Sequence, residues 1–205
     1  MTESLSLEEI EALFTGDNNT FHFARWNRPI VPIVFGVDDE TLTHLKSSIV
    51  TTVGITGNKI EETDPELGAN FMWFFCQEWS EVLSVPDLQE LIPNIKDIVE
   101  KLQFSSTKSY RIFSFDPEGG IKMCVQLIKV SDETAEMSIH ALATGETFQC
   151  LALFSANAFI NESPIAQISQ NNLCIPKPKY AALVRAAYDP ILPVASHDKS
   201  HALRL

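Results

Sequence analysis

The sequence is short of positive charge, of glycine and of long apolar runs. It has 15 lysines and arginines against 27 aspartates and glutamates, which gives a formal net charge of −12. A general binder of the phosphate backbone needs a basic face, so this balance argues against nucleic acid as a partner. The longest apolar stretches, such as 69–76, are far shorter than the ~20 residues that cross a bilayer. We therefore expect no membrane partner either.

Glycine-rich loops and nucleophile motifs are also missing. The glycines within 36–40 and 54–59 have neither the Walker lysine spacing nor the G-x-G-x-x-G pattern, so a standard nucleotide loop is not expected. There is no G-x-S-x-G elbow for a nucleophilic serine. There is no H-E-x-x-H, which would place two imidazoles on one helical face. We therefore expect no cofactor and no metal ion.

The cysteines do not form a metal or redox motif. Cys76, Cys124, Cys150 and Cys174 include no C-x-x-C pair, which excludes zinc ribbons and thioredoxin-like motifs. Each lies among apolar residues, where burial raises the pKa of a thiol and lowers its reactivity. We expect buried free thiols, because a Cys124–Cys150 disulfide would require an oxidising compartment.

The composition is that of a folded globular protein. Hydrophobic residues make up 45% of the chain and charged residues 20%, which is not typical of disordered sequences. The first 17 residues have no basic start and no continuous apolar core, so we expect a cytoplasmic protein without a secretory signal. We expect one globular domain over 1–193, with residues 1–18 as a helical N-terminal arm and 194–205 as a flexible tail.

Apolar periodicity predicts both helices and strands along the chain. Helical spacing is found over 6–15, 38–54, 86–103, 145–158 and 179–188. Strand patterns occupy 21–26, 30–36, 69–77, 110–115, 121–130 and 134–142, and 161–178 is expected to be irregular. Pro32 favours either an edge position or a bulge for the second strand, and Asp38 is a good helix N-cap.

The order of these elements predicts an α+β fold. We expect a mixed sheet packed by about four helices. The last three predicted strands follow one another closely, and the sequence DPEGG between the first two of them is a strong hairpin signal. They are expected to form a C-terminal β-meander.

Residues 25–28 are a basic and aromatic exception in an acidic chain. Arginine stacks on tryptophan and makes bidentate contacts to carboxylate or phosphate. Arg25, Trp26 and Arg28 are therefore candidate ligand-binding residues. The alternative is that they end a strand and that Trp26 covers the edge of the core.

Three stretches of the chain resemble an uncharacterised bacterial family known only as a domain of unknown function. They are RWNRPIVPIVFG at 25–36, VGITGNKI and GANFMWFF within 53–75, and LVRAAYDPILP at 183–193. Members of that family carry an acidic residue and a glutamine in the helix after the last strand, followed by a Leu-Gly-Leu turn. The resemblance implies that Glu146 and Gln149 hold those two positions, while residues 151–155 replace the turn.

The same segment is similar in spacing to the helix of a zincin. GETFQ at 145–149 aligns with His-Glu-x-x-His, with both ligand positions lost. A carboxylate base without two imidazoles cannot set up a zinc-bound water. The resemblance therefore implies a zincin-like scaffold that is not a zinc peptidase. The alternative for Glu146 is ordinary stabilisation of a helix N-terminus.

Three functions are compatible with this sequence. The first is a non-enzymatic binding protein with a protein or peptide partner, for example at an edge strand. The second is a hydrolase whose catalytic candidates are Glu146, Gln149 and His140, with His22 as the alternative histidine. The third is a sensor that binds a small ligand at the basic and aromatic segment. The oligomeric state is left open.

Overall fold

A computed structural model describes residues 4–132, 137–168 and 173–205. The helices are α1 (Leu7–Leu13), α2 (Asp39–Gly54), α3 (Leu88–Leu91), α4 (Ile95–Gln103), α5 (Ile139–Cys150) and α6 (Pro178–Ala187). The strands are β1 (Phe23–Ala24), β2 (Pro32–Phe35), β3 (Phe71–Cys76), β4 (Ser109–Phe115), β5 (Ile121–Lys129), β6 (Ile165–Ile168), β7 (Leu173–Pro176) and β8 (Ala195–Ser196). Trp79–Ser84 and Lys199–Arg204 form 3₁₀ helices. Among the described residues, no helix combines the length and the apolarity needed to cross a bilayer.

A mixed sheet of four strands, in the order β2-β3-β5-β4, lies at the centre of the fold. β3 runs parallel to both β2 and β5, and β4 pairs antiparallel with β5. The continuous apolar run of β3 follows from its inner position, because both of its faces are covered. Phe71 and Trp73 pack in one cluster of core side chains, and Phe74 and Cys76 pack in another. The predicted α+β class with a mixed sheet is confirmed.

Helices pack on both faces of this sheet. α2 and α5 contact each other and share the core cluster of Phe71 and Trp73, while α4 belongs to the opposite cluster. α2 begins as predicted, because the Asp38 carboxylate accepts a hydrogen bond of 2.8 Å from the backbone N–H of Thr41. The helix predicted over 86–103 is present as two pieces, α3 and α4, on either side of Pro93, which cannot continue helical hydrogen bonding.

The third strand of the predicted β-meander is replaced by a helix where the structure describes it. Residues 134–136 of that predicted strand lie outside the described residues, and the chain is helical from Ile139 onward. The strand prediction is therefore wrong for 139–142, and the meander is reduced to the β4–β5 hairpin. The alternating pattern overlaps the start of a helical pattern. The helical pattern corresponds to the buried face of α5, which includes Leu142, Ala143 and Thr147. The predicted helix start at residue 145 is consequently too late, because the helix begins at Ile139.

The segments after α5 and at both ends of the chain also differ from expectation. β6 and β7 pair antiparallel within the segment predicted to be irregular. β8 pairs with β1, and His201 and Ala202 are buried. The prediction of a flexible tail over 194–205 therefore does not agree with the structure, because main-chain pairing and buried side chains hold this segment. Leu13 and Phe14 at the end of α1 are buried in the main core, so the N-terminal helix is part of the same packed unit.

Candidate functional site

An apolar groove of about 920 Å³ runs beside β2, the edge strand of the central sheet. Its walls come from β2, from β3 and from the region of α3. Apolar side chains that line it are Ile33, Phe35, Leu67, Met72, Phe74 and Leu88. We call this feature the β2 groove.

Main-chain hydrogen bonds just before β2 establish which way its backbone groups point. Ile30 donates to the carbonyl of Lys59 at 2.8 Å and accepts from the N–H of Glu61 at 3.1 Å. Its backbone groups therefore point away from β3. The carbonyl of Val31 accepts from the N–H of Phe71 in β3 at 3.1 Å, so Val31 points the opposite way.

This alternation leaves an unpaired edge along β2. Successive residues of a strand point their backbone groups to opposite sides, so those of Pro32 and Val34 point away from β3. Proline lacks an N–H and is tolerated at an outward position without loss of a ladder bond, which confirms the predicted edge strand. Val34 presents both its N–H and its C=O outward, and no strand within the described ranges pairs with this side of β2.

Side chains at the β2 groove are aromatic on the wall and mostly acidic on the rim. The ring of Phe35 stacks on that of Phe74 with 4.8 Å between centroids, yet 43% of Phe35 stays exposed. The charged residues of the groove lining are Lys46, Glu62, Asp87 and Glu90. The groove therefore offers apolar surface and an excess of negative charge.

Glu146 lies between α5 and the central sheet and accepts three hydrogen bonds. Its Oε2 accepts from Ser109 Oγ at 2.8 Å, from Arg111 Nη1 at 3.1 Å and from Gln126 Nε2 at 2.7 Å. Gln126 is fully buried, and the Glu146 side chain is only 14% exposed. Three donors on one largely buried carboxylate oxygen anchor α5 to β4 and β5.

The other catalytic candidates lie on the same helix but not beside Glu146. His140 Nδ1 is 2.9 Å from the hydroxyl of Ser48 in α2. Glu146 is six positions after His140, which corresponds to about 9 Å along the helix axis. Gln149 Nε2 donates to the carbonyl of Gly145 within the helix, at 3.4 Å.

His22, the alternative histidine, lies directly before β1 and contacts His197. Its ring stacks on that of His197 with 4.3 Å between centroids, and burial together with His197 lowers the pKa of His22. No hydrogen bond in the described part of the chain joins Glu146 to His22 or His140. The hydrolase hypothesis therefore gains no support from these contacts.

Two cysteines that are distant in sequence lie side by side. Cys150 Sγ donates to Gln126 Oε1 at 3.5 Å, and Cys150 lies close enough to Cys124 to influence the pKa of that thiol. Burial is the main cause that raises the pKa of Cys124 well above its usual value, and Cys150 adds to the shift. All four cysteines are buried free thiols, as predicted. A neutral buried thiol is a poor nucleophile.

The fold separates the three candidate ligand-binding residues. Trp26 is buried, and its Nε1 donates to the last carbonyl of α5 at 2.8 Å, so it covers the core. Arg28 pairs with Asp64 Oδ2 at 3.4 Å and with Glu66 Oε2 at 3.3 Å. The two residues thus have structural partners. Arg28 lines a cavity together with these carboxylates, whereas Arg25 lines a different cavity.

Arg25 lies in the wall of a second cavity, of about 560 Å³. Its guanidinium carbon is 5.4 Å from the centroid of the Tyr188 ring. Burial lowers the pKa of Arg25, and the nearby Tyr188 and Asp189 only partly oppose this effect.

Comparison of the chain with protein-family models, with curated proteins and with solved structures found no match. The resemblance to the uncharacterised bacterial family and to the zincin scaffold therefore stays a prediction.

Proposed function

We propose that this protein is a non-enzymatic binding protein that holds an extended segment of a partner protein in the β2 groove. The observation that carries the proposal is the outward-facing N–H and C=O of Val34 beside an apolar groove. A segment that lies along β2 gains main-chain hydrogen bonds from this edge and places alternate side chains in the groove. Main-chain bonds supply affinity, and the groove supplies selectivity.

The chemistry of the β2 groove selects the partner segment. Alternate side chains of an extended segment point to the same face, so β-branched apolar residues at these positions suit the groove. The groove lining carries three carboxylates and one lysine, and the whole chain has a net charge of −12. A segment with lysine or arginine on both sides of an apolar centre is therefore attracted, and an acidic segment is repelled.

The proposal is tested with a fluorescein-labelled peptide, KKVTVTVKK, titrated with the protein and followed by fluorescence anisotropy. We expect saturable binding of this peptide. The peptide EEVTVTVEE has the same apolar centre and is expected to bind much more weakly, because its charges oppose those of the groove. Two further KKVTVTVKK peptides are N-methylated on one or the other alternate set of amides. The peptide whose methyl groups face β2 is expected to lose binding, because these groups block strand addition. Equal binding of all these peptides would contradict the proposal.

Protein variants locate the binding at β2. Val34→Pro removes the outward N–H and leaves the hydrogen bonds to β3 intact, so we expect at least about fivefold weaker binding. Phe35→Ala removes an aromatic wall of the groove and is expected to weaken binding similarly. Phe104→Ala is the matched control, because Phe104 is 91% exposed and does not line the groove. Identical affinities of the three variants would overturn the proposal.

We also propose that the protein works in the cytoplasm on a scaffold related to that of the uncharacterised bacterial family. The adjacent free thiols of Cys124 and Cys150 support a reducing compartment. The sequence motifs alone support the relation to the family and to a zincin-like scaffold.

A further inference from the structure

Arg25 is a buried cation with much of its hydrogen-bonding capacity unused. Only 8% of the residue is exposed. Its Nη1 donates to the carbonyl of Trp26 at 3.1 Å, and its Nη2 donates to the carbonyl of Leu192 at 3.3 Å. A guanidinium has five N–H donors, so these two bonds leave three without an acceptor among the described residues. One of the three is Nε, which is itself buried without a partner.

No carboxylate neutralises this cation at ion-pair distance in the described part of the chain, whereas Arg28 pairs with two carboxylates. Asp189 is near enough to raise the pKa of Arg25, but burial has the larger, opposite effect. A buried charge without a partner costs free energy. A bound anion would recover part of this cost, which makes the site favourable for a negatively charged ligand.

Arg25 forms part of the wall of the 560 Å³ cavity, which we call the Arg25 cavity. Further walls come from Tyr188 and from the following turn, including Pro190, Leu192 and Pro193. The prolines have no N–H, and the carbonyl of Leu192 already accepts from Arg25. This side of the cavity therefore offers apolar side chains beside one cation, whereas Asn27 and Glu118 make another part of the wall polar.

We propose that the Arg25 cavity binds a small monocarboxylate with a short apolar tail. The free N–H groups on Nη1 and Nη2 of Arg25 donate to the carboxylate oxygens, for which the planar guanidinium is well suited. The tail lies against Leu192 and the ring of Tyr188. Glu118 lines the same cavity and accepts from Asn27 Nδ2 at 3.2 Å. Its negative charge repels a dianion more strongly than a monoanion, so a carboxylate is favoured over phosphate.

This inference goes beyond peptide binding in the β2 groove. The Arg25 cavity and the β2 groove have no lining residue in common. Each site can therefore be tested separately, and failure at one does not imply failure at the other.

The test is a titration of the wild-type protein with sodium butyrate at constant ionic strength, followed by calorimetry and by the NMR signal of the Arg25 Nε–H. We expect saturable binding and a shift of that signal. Butanol keeps the tail without the carboxylate, and we expect it to bind at least about tenfold more weakly because the charge-assisted hydrogen bonds are lost. Inorganic phosphate is expected to bind more weakly than butyrate. The absence of saturable butyrate binding, or equal binding of butanol or phosphate, would overturn the proposal.

Variants of other residues in the cavity wall test the proposal even if a variant of Arg25 does not fold. Arg25→Lys keeps the charge but loses the planar donors, and we expect butyrate binding to be lost. Leu192→Ala keeps the backbone carbonyl that holds Arg25 and shortens the apolar wall, so we expect several-fold weaker binding. Glu118→Gln is expected to strengthen phosphate binding relative to butyrate. Unchanged butyrate affinity in Leu192→Ala would overturn the location of the site even where Arg25→Lys fails to fold.

Discussion

The ring of Phe35 stacks on the ring of Phe74, with 4.8 Å between centroids and 11° between planes, while 43% of Phe35 remains exposed. This stack places aromatic surface at the open edge of the central sheet instead of inside a closed core. Apolar surface of this kind, beside unpaired backbone groups, is what a partner segment covers when it adds to a sheet edge. The pairing of Phe35 with Phe74 therefore links the architecture of β2 to the proposed binding of an extended segment.

Phe35 should matter more for binding than for stability. We expect Phe35→Ala to lower the free energy of unfolding by only about 1–2 kcal/mol, because much of the ring already faces water. Phe71→Ala in β3 is the matched core variant, since Phe71 is 1% exposed, and we expect a loss of about 3–5 kcal/mol. Urea denaturation measures both values. Equal losses would show that Phe35 is a core residue and would contradict its role as a groove wall.

Gly36 at the end of β2 is required by its backbone conformation. Its φ is +85°, and a Cβ there would lie 2.2 Å from the carbonyl oxygen of Phe75. We expect Gly36→Ala to lower the free energy of unfolding by more than about 2 kcal/mol, because strain and a backbone clash combine. Gly54→Ala at the end of α2 is the control, as no atom outside its own helix backbone and chain neighbours lies within 4 Å of a Cβ there. Gly54→Ala should raise the free energy of unfolding by up to about 1 kcal/mol. Equal effects of the two substitutions in equilibrium denaturation would contradict the special requirement for glycine at position 36.

Glu146 is expected to act as a structural anchor. Glu146→Gln removes the charge paired with Arg111 and weakens the bond from Gln126, so we expect a loss of about 2–4 kcal/mol in the free energy of unfolding. Glu118→Gln is the exposed control, and we expect a change below about 0.5 kcal/mol. Chemical denaturation of both variants checks the difference. A nearly neutral Glu146→Gln would remove the anchor role and revive Glu146 as a catalytic candidate.

Glu162 makes stability depend on pH in the acid range. It accepts from Lys177 Nζ at 2.8 Å, Lys179 Nζ at 2.7 Å and the Tyr180 hydroxyl at 2.9 Å, and these bonds lower its pKa from 4.5 to about 2. Because the folded protein then binds fewer protons at this group, the stabilisation is complete above the unfolded pKa and is lost as pH falls through the folded one. We expect the free energy of unfolding to fall less in Glu162→Gln than in the wild type between about pH 5 and pH 3. Denaturation curves measured across this pH range test the prediction. An identical pH dependence of the free energy of unfolding in the two proteins would contradict it.

Local sequence signals identified features that depend on one or two residues. Asp38 and Pro32 were predictable because helix capping and a missing N–H are properties of single side chains. The prediction of a strand over 134–142 was wrong for 139–142, because the short apolar pattern there fits both an alternating and a helical period. Tertiary packing on α2 decides in favour of the helix α5.

The sites themselves are assembled from segments that no local pattern connects. The Arg25 cavity depends on a bond from Arg25 to Leu192 across 167 residues. Adjacency in sequence grouped Arg25 with Trp26 and Arg28, but successive residues of an extended chain point to opposite sides. Trp26 therefore lies in the core, opposite to Arg25. Arg28 lies at a bend that follows the extended residues, where it pairs with its carboxylates. The β2 groove likewise joins four separate stretches of chain, and only the edge position of β2 could be predicted from local sequence.

Amide hydrogen exchange at Val34, measured with and without saturating KKVTVTVKK, tests strand addition most directly. When the peptide adds to the edge of β2, the Val34 N–H donates to a peptide carbonyl, and we expect its exchange to slow by at least about tenfold. The amide of Phe104, outside the β2 groove, should exchange at the same rate in both states. An unchanged exchange rate at Val34 in protein that has bound the peptide would contradict binding at this edge.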